Sequence, residues 1–239
     1  MSHQTLAQPI RACMVDLDGT LVDTLGDFEA ALGAMLTAIG RAPVTRAQIE
    51  SLVGKGSEHL IRSVLALTAP PDAPTDAAAQ EALAEQAWAH YQAAYLRING
   101  QHSTVYAGAE AGLKTLREQG LRLACLTNKP VAFARPLLAA KGLAGYFDHV
   151  FGGDSFARKK PDPLPLLETC RALGTSPAQT LMLGDSSNDA AAARAAGCPV
   201  VLVTYGYNHG EPIRAVDADG FVDGIDALSL RAGTDTPTQ

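Results

Sequence analysis

The chain has 239 residues, 47% hydrophobic and 18% charged, which is enough apolar material for a substantial core and argues against disorder. A net charge of -6 offers nothing to nucleic acid or an anionic membrane, and no apolar run approaches the ~20 residues of a membrane span. Four scattered cysteines without a C-x-x-C pair, behind an N-terminus with no basic-then-apolar leader, lead us to expect free thiols in a cytoplasmic protein.

In chain order, the first apolar run is Ile10–Val15, and four more follow at Leu121–Leu126, His149–Phe151, Thr180–Leu183 and Val200–Val203. Most are apolar throughout rather than alternating, which suits parallel strands covered on both faces. Between them, helical stretches stop at Gly120, Gly142, Gly174 and Gly197, where a glycine can take the left-handed conformation after a helix. This rhythm predicts an α/β fold, a Rossmann-like doubly wound parallel sheet.

Residues 24–103 break that rhythm and carry no convincing strand. Phe28, Leu32, Met35, Leu36 and Ile39 recur at helical spacing, and Thr45 with Gln48 forms a capping-box pattern before Ile49, Leu52 and Val53. A further helix carries Leu60, Ile61, Val64 and Leu65. A Pro-rich turn at 69–75 then precedes an Ala-rich helix through Trp88, Tyr91 and Tyr95 that ends near Asn99-Gly100. The expected organisation is a discontinuous core, 9–23 with 104–231, an all-helical cap at 24–103, and fraying tails at 1–8 and 232–239.

Ligands of an open parallel sheet bind beyond the carboxyl ends of its strands. There the sequence places Asp16-Leu17-Asp18-Gly19-Thr20, then Thr127-Asn128-Lys129, then Lys159-Lys160-Pro161, then Gly184-Asp185-Ser186-Ser187-Asn188-Asp189. Each residue alone has a bland reading: Asp18 and Asn188 as turn residues, Asp185 and Asp189 as caps, Lys160 as a solvated lysine. Together they place carboxylates, a hydroxyl and an amine on one rim. Asp16, Asp18 and Asp185 would repel one another without a cation among them, and all-oxygen ligands suit Mg²⁺. Metal plus Lys160 would supply the charge stabilisation that phosphoryl transfer needs.

DLDGTLVDT, LTNK, KKPDP and LGDSSND resemble the four ordered motifs of the haloacid dehalogenase superfamily, and the helical insertion is similar to its α-helical cap subclass. More narrowly, GLRLACLTNKP, FGGDSFARKKPDPLPLL, LMLGDSSNDAAAARAAGCP and VTYGYNHGE look like its phosphoglycolate-phosphatase group. The resemblance implies that Asp16 is nucleophile and Mg²⁺ ligand. Asp18 would be general acid then base, its backbone carbonyl facing the metal. Thr127 and the backbone of Asn128 would hold the phosphoryl group, and Lys160 would offset charge while its neighbour Lys159 stays solvated. Asp185 would bind the metal, Asp189 would support the ligands, and Thr20 would orient Asp18. Lys55, in the Gly54-Lys55-Gly56 turn, is expected to meet a substrate carboxylate or else to be an exposed loop lysine; Tyr205–His209 receives no chemistry.

These expectations amount to hydrolysis of a small phosphomonoester, 2-phosphoglycolate, by a monomer or homodimer. A sugar-phosphate phosphatase or a β-phosphoglucomutase-like enzyme would use the same residues. A phosphoacceptor signalling domain also gathers acids, Thr and Lys around Mg²⁺, but leaves Asp18 without a task and has no long cap. An acid at position 18 disfavours a dehalogenase, because a halide leaves without a proton.

Overall fold

Six short strands pair in parallel in the order β5-β4-β1-β6-β7-β8. They are β1 (Ala12–Val15), β4 (Arg122–Leu126), β5 (His149–Phe151), β6 (Thr180–Gly184), β7 (Val200–Val203) and β8 (Gly220–Val222). The computed structural model describes residues 9–71, 73, 76–228 and 230; the expected tails and part of the 69–75 turn lie outside them. Strand β1 is central, and the later strands run outward from it on either side, so the topological switch point lies at its carboxyl end.

Alternate residues of each strand face opposite sides of the sheet. Cys13 and Val15 pack with Leu113 of α5 (Ala109–Glu118) and Leu137 of α6 (Val131–Ala140). Met14 and Met182 pack on the other face with Leu166 of α7 (Leu164–Leu173) and Ala193 of α8 (Ser187–Ala196). Both faces are covered, which explains why the strands read as continuous apolar runs. The four helix-stopping glycines all have positive φ, from 62° to 81°.

The stretch expected to be helical contains α1 (Leu25–Ala38), α2 (Arg46–Leu52), α3 (Ser57–Leu67) and α4 (Ala77–Ile98). They pack around their own cluster, built on Leu32, Met35, Ile61, Val64, Tyr91 and Tyr95, which also takes in Phe133 and Tyr207 from outside the insertion. The Thr45–Gln48 capping box is present at the start of α2. Where the chain leaves and re-enters the sheet region, β2 (Val22–Asp23) and β3 (Thr104–Val105) pair antiparallel. Asp27, fully buried, reinforces this crossing by accepting from the backbone N–H groups of Gly100 (2.8 Å) and His102 (2.7 Å).

Three strands were not anticipated. β8 is a three-residue edge strand of half-buried residues, and β2 and β3 are two residues each, so none carries an apolar run long enough to register. Among the described residues no helix is long and apolar enough to cross a membrane.

Candidate active site

The site is built on the loop after β1. Leu17 offers its carbonyl to the N–H groups of Thr20, Leu21 and Val22, closing a tight turn, while the Asp16 N–H still bonds to Leu183 O on β6 (2.9 Å). Gly19 stands in that turn at φ 86°, and a Cβ there would lie 2.1 Å from Asp185 Oδ2. Both the conformation and the space demand glycine.

The loop after β6 is held by Asp189, three residues beyond the Ser186 N-cap of α8. Its Oδ2 accepts from the N–H groups of Asp185 and Ser186 (3.2 Å each) and from Ser186 Oγ (2.8 Å). Its Oδ1 receives the Lys160 ammonium at 2.7 Å. Lys160 also donates to Leu126 O at the end of β4 (2.8 Å) and stands 3.0 Å from Asp16 Oδ1. Two hydrogen bonds and one ion pair thus surround the ammonium. Burial alone would lower the Lys160 pKa, but the Asp16 and Asp189 carboxylates outweigh it and hold the group charged.

Asp16, Asp185 and Asp189 bring carboxylate oxygens within 4.8 Å of one another, all buried. Burial is the main reason that the Asp16 carboxyl is pushed up to about 7; Lys160 opposes the shift, and Asp189 and Asp18 add to it. Asp185 is raised well above the usual carboxylate range by burial, then by Asp189 and Asp16. Asp16 Oδ1 receives no hydrogen bond although it is buried. A hard, all-oxygen donor set, a carboxylate oxygen without a hydrogen bond and three buried carboxylates against a single ammonium together fit a divalent cation bound here.

Asp18 turns elsewhere. Its Oδ1 accepts from Lys129 Nζ at 2.8 Å, and this ammonium, 3% exposed as a residue, lies 4.5 Å from the ring centre of Phe28 in α1 and 4.7 Å from that of Tyr95 in α4. The three clustered carboxylates therefore include Asp189 where sequence reasoning expected the Asp18 side chain. Thr127 lies at the end of β4, with its Oγ1 accepting from Lys129 N (3.1 Å). The Asn128 amide spans two elements, donating to Lys160 O (2.8 Å) and to Gly54 O in the α2–α3 turn (2.9 Å).

Thr20 corrects an expectation. It donates to Asp185 Oδ1 (3.0 Å), not to Asp18, because the Gly19 turn swings residue 20 toward the neighbouring β6 loop. Asn188 is a residue of α8 rather than a turn, and its amide meets Gly54 O and His209 Nε2 at 3.3 Å each. Residues 205–209, without assigned chemistry from sequence, hold this architecture together. Tyr207 N–H donates to Asp185 Oδ2 (2.6 Å), and the Tyr207 hydroxyl bonds to Asp23 and to Thr24 N at the crossing into α1. Tyr205 reaches Thr20 O (2.8 Å).

Close packing around Asp185 gives a stability prediction. A Cβ on Gly206 would lie 2.2 Å from Asp185 Cβ and 2.4 Å from its Oδ2. Gly206→Ala is expected to destabilise the fold by about 1–3 kcal/mol through overpacking, read by chemical denaturation.

Two spaces meet these residues. A cavity of about 20 Å³, near the size of a single water, is lined by Asp16, Asp18, Thr127, Asn128 and Lys129 below and by Phe28, Val53, Gly54, Gly56, Ser57 and Leu60 above. Beside it lies an open cleft of about 930 Å³ bordered by Lys55, His59, Arg158, Lys159 and Lys160. Lys55 and Lys159 are exposed there. In a chain of net charge -6, this cleft concentrates positive charge at one entrance.

The profile of the haloacid dehalogenase-like hydrolases matches residues 10–197. The chain belongs to that family. It is 42% identical over 222 residues to a phosphoglycolate phosphatase of Thiobacillus denitrificans, spanning 93% of this chain and 95% of the relative. It is 43% identical over 226 residues to a plasmid-borne phosphoglycolate phosphatase of Cupriavidus necator, spanning 94% of each. Among solved structures, a predicted phosphoglycolate phosphatase from Haemophilus somnus superposes with a TM-score of 0.84 at 29% identity over 92% of this chain and 96% of that one. CbbY from Rhodobacter sphaeroides, solved with phosphate, shares the fold at a TM-score of 0.76 and 23% identity, over 92% of this chain and 96% of CbbY.

Against this family background, sequence reasoning passed over two features. Lys129 follows the Thr127-Asn128 pair directly, yet its burial depends on the rings of Phe28 in α1 and Tyr95 in α4, both far upstream in the chain, which no local pattern reveals. Tyr207 was visible only as part of a recognisable segment; that its backbone supports Asp185 is tertiary information.

Proposed function

We propose that this hydrolase is a Mg²⁺-dependent phosphatase that converts 2-phosphoglycolate and water to glycolate and phosphate through an aspartyl-phosphate on Asp16. The observation that carries the reading is the Asp16 carboxylate itself. It is buried, has one oxygen without a hydrogen-bond donor, faces Lys160, and lies two residues from a second acid with a different partner. The phosphoglycolate phosphatases above supply the substrate, since the motif residues alone fit any small phosphomonoester.

Asp16, Asp185 and the backbone carbonyl of Asp18 would hold the cation, with Asp189 supporting them. When bound, it neutralises charge between the nucleophile and the phosphoryl oxygens. Thr127 Oγ1 and the backbone N–H of Asn128 bind the phosphoryl group, and Lys160 balances Asp16. An Asp16 oxygen attacks phosphorus as the ester P–O bond breaks, and Asp18 delivers its proton to the departing glycolate oxygen. Asp18, now ionised, takes a proton from the water that attacks the aspartyl-phosphate, returning Asp16 and releasing phosphate.

The helices of residues 24–103 act as a cap in this reading. A one-water cavity cannot admit the substrate, so the insertion must open to load and close to exclude bulk water. Lys55, exposed on the cleft, would attract the incoming anion. Four free, buried cysteines suit a reducing cytoplasmic setting. Whether the enzyme is a monomer or a homodimer is read from its mass in solution.

Phosphate release from a panel of phosphomonoesters with Mg²⁺ tests the reading. 2-Phosphoglycolate should exceed sugar and amino-sugar phosphates by at least about tenfold in kcat/KM, each 1.4 kcal/mol of discrimination being tenfold; a reversed order would reject the substrate. Metal linkage gives a second check. The Asp16 carboxyl titrates near 7 in the fold and in the ordinary carboxylate range when unfolded, so the folded, metal-free protein holds extra protons between those pH values. Its stability therefore falls as pH rises through that window. A cation takes the proton's place, so the Tm gain from Mg²⁺ should be larger at pH 8 than at pH 5.

A further inference from the structure

Resting on the phosphoglycolate reading, we propose that Lys129 is the specificity-determining cation that receives the substrate carboxylate. Lys129 and Lys160 are the two buried basic side chains among the described residues. Lys160 is committed: it donates to Leu126 O and Asp189 Oδ1 and forms an ion pair with Asp16. Lys129 makes one charged hydrogen bond, to Asp18, and borders the cavity directly.

The substrate's own geometry selects that position. Its carboxylate is one carbon removed from the ester oxygen that Asp18 protonates. A leaving group engaged by Asp18 therefore presents its carboxylate in the neighbourhood of Asp18, and the cation there is Lys129. Above Asp18 and Lys129 the cavity is walled by the apolar Phe28, Val53 and Leu60, together with Gly54, Gly56 and Ser57. A carboxylate buried there without a cation would carry its full desolvation penalty. Lys55, the residue that sequence reasoning chose for this task, lines the outer cleft and is exposed.

The cage around Lys129 adds a reason why recognition and closure go together. The lysine belongs to the loop after β4, whereas the Phe28 and Tyr95 rings beneath its ammonium come from the insertion. Ring faces stabilise a cation most where water is excluded. The binding site for the carboxylate is thus completed by both parts of the chain.

Two esters separate this role from general support of Asp18: 2-phosphoglycolate and 2-hydroxyethyl phosphate, which replaces the carboxylate with a hydroxymethyl group. Wild-type enzyme should prefer the acid. In Lys129→Met the ratio of kcat/KM values, acid to alcohol, should fall about 10²-fold or more, and Lys129→Arg should recover part of it. Lys55→Met should shift both esters together. A ratio unchanged in Lys129→Met, with both esters slowed alike, overturns the proposal, as does a ratio that collapses in Lys55→Met. An enzyme without any preference for the acid overturns the phosphoglycolate reading as well, while a preference that survives Lys129→Met overturns the carboxylate site alone. Should Lys129→Met not fold, a crystal structure of Asp16→Asn with 2-phosphoglycolate decides: carboxylate within hydrogen-bond distance of Lys129 Nζ supports the assignment, and carboxylate on any other cation rejects it.

Discussion

Asp16→Asn should lower kcat by about 10⁴-fold or more, because a neutral amide cannot form the phosphorylated intermediate that divides the reaction into two easier steps. The substitution is nearly isosteric, so the turn closed on Leu17 O and the Gly19 approach to Asp185 are retained. Stability should move the opposite way. Burial and the neighbouring Asp189 and Asp18 disfavour the ionised Asp16, so removing its charge relieves repulsion in the metal-free protein. A higher Tm with almost no turnover would be the signature of a functional acid held at a cost in stability. Residual kcat within tenfold of wild type would reject Asp16 as nucleophile.

Asp18→Asn should show a dependence on the leaving group. For an alkyl ester such as 2-phosphoglycolate, loss of the general acid should cost about 10²–10⁴-fold in kcat/KM. For p-nitrophenyl phosphate, whose leaving group departs without a proton, the first step should be far less affected. Hydrolysis of the intermediate still lacks its base, so a burst of nitrophenolate followed by slow turnover is expected. An equal loss for both esters would mean that Asp18 serves only the structure. A stability penalty accompanies the kinetic one, since the buried Lys129 ammonium loses its charged partner.

The core of the site could be read from sequence because its residues lie immediately after strands that are continuous apolar runs. Asp16 after β1, Thr127 after β4 and Asp185 after β6 needed only the rule that strand ends of an open sheet form the binding rim. Helix limits were legible at Gly174 and Gly197, where left-handed caps stop α7 and α8. Partners could not be read in the same way. Thr20 is two residues from Asp18 and 165 from Asp185, yet it bonds to Asp185, because the turn at Gly19 decides the direction. Asp189 read as a helix cap, which it is, but its second oxygen holds Lys160 from another loop. Strand β8 escaped because Gly220–Val222 is half-buried at the sheet edge and has no apolar run to mark it.

The burial of Lys129 illustrates the general difficulty. A lysine in a loop is ordinarily solvated, and only tertiary packing of Phe28 and Tyr95 makes this one a buried cation beside an acid. A mainly basic cleft, a committed lysine beside Asp16 and a second lysine beside Asp18 then form a graded path for an anionic ester, from Lys55 and Lys159 outside to Lys160 and Lys129 within.

The covalent step is tested most directly by rapid acid quenching of wild-type enzyme during turnover of 2-phosphoglycolate, followed by peptide mapping. A phosphoryl adduct on the Asp16 carboxyl, formed and lost at rates that account for kcat, is the predicted result. Turnover with no covalent adduct, or with one on any other side chain, would contradict it.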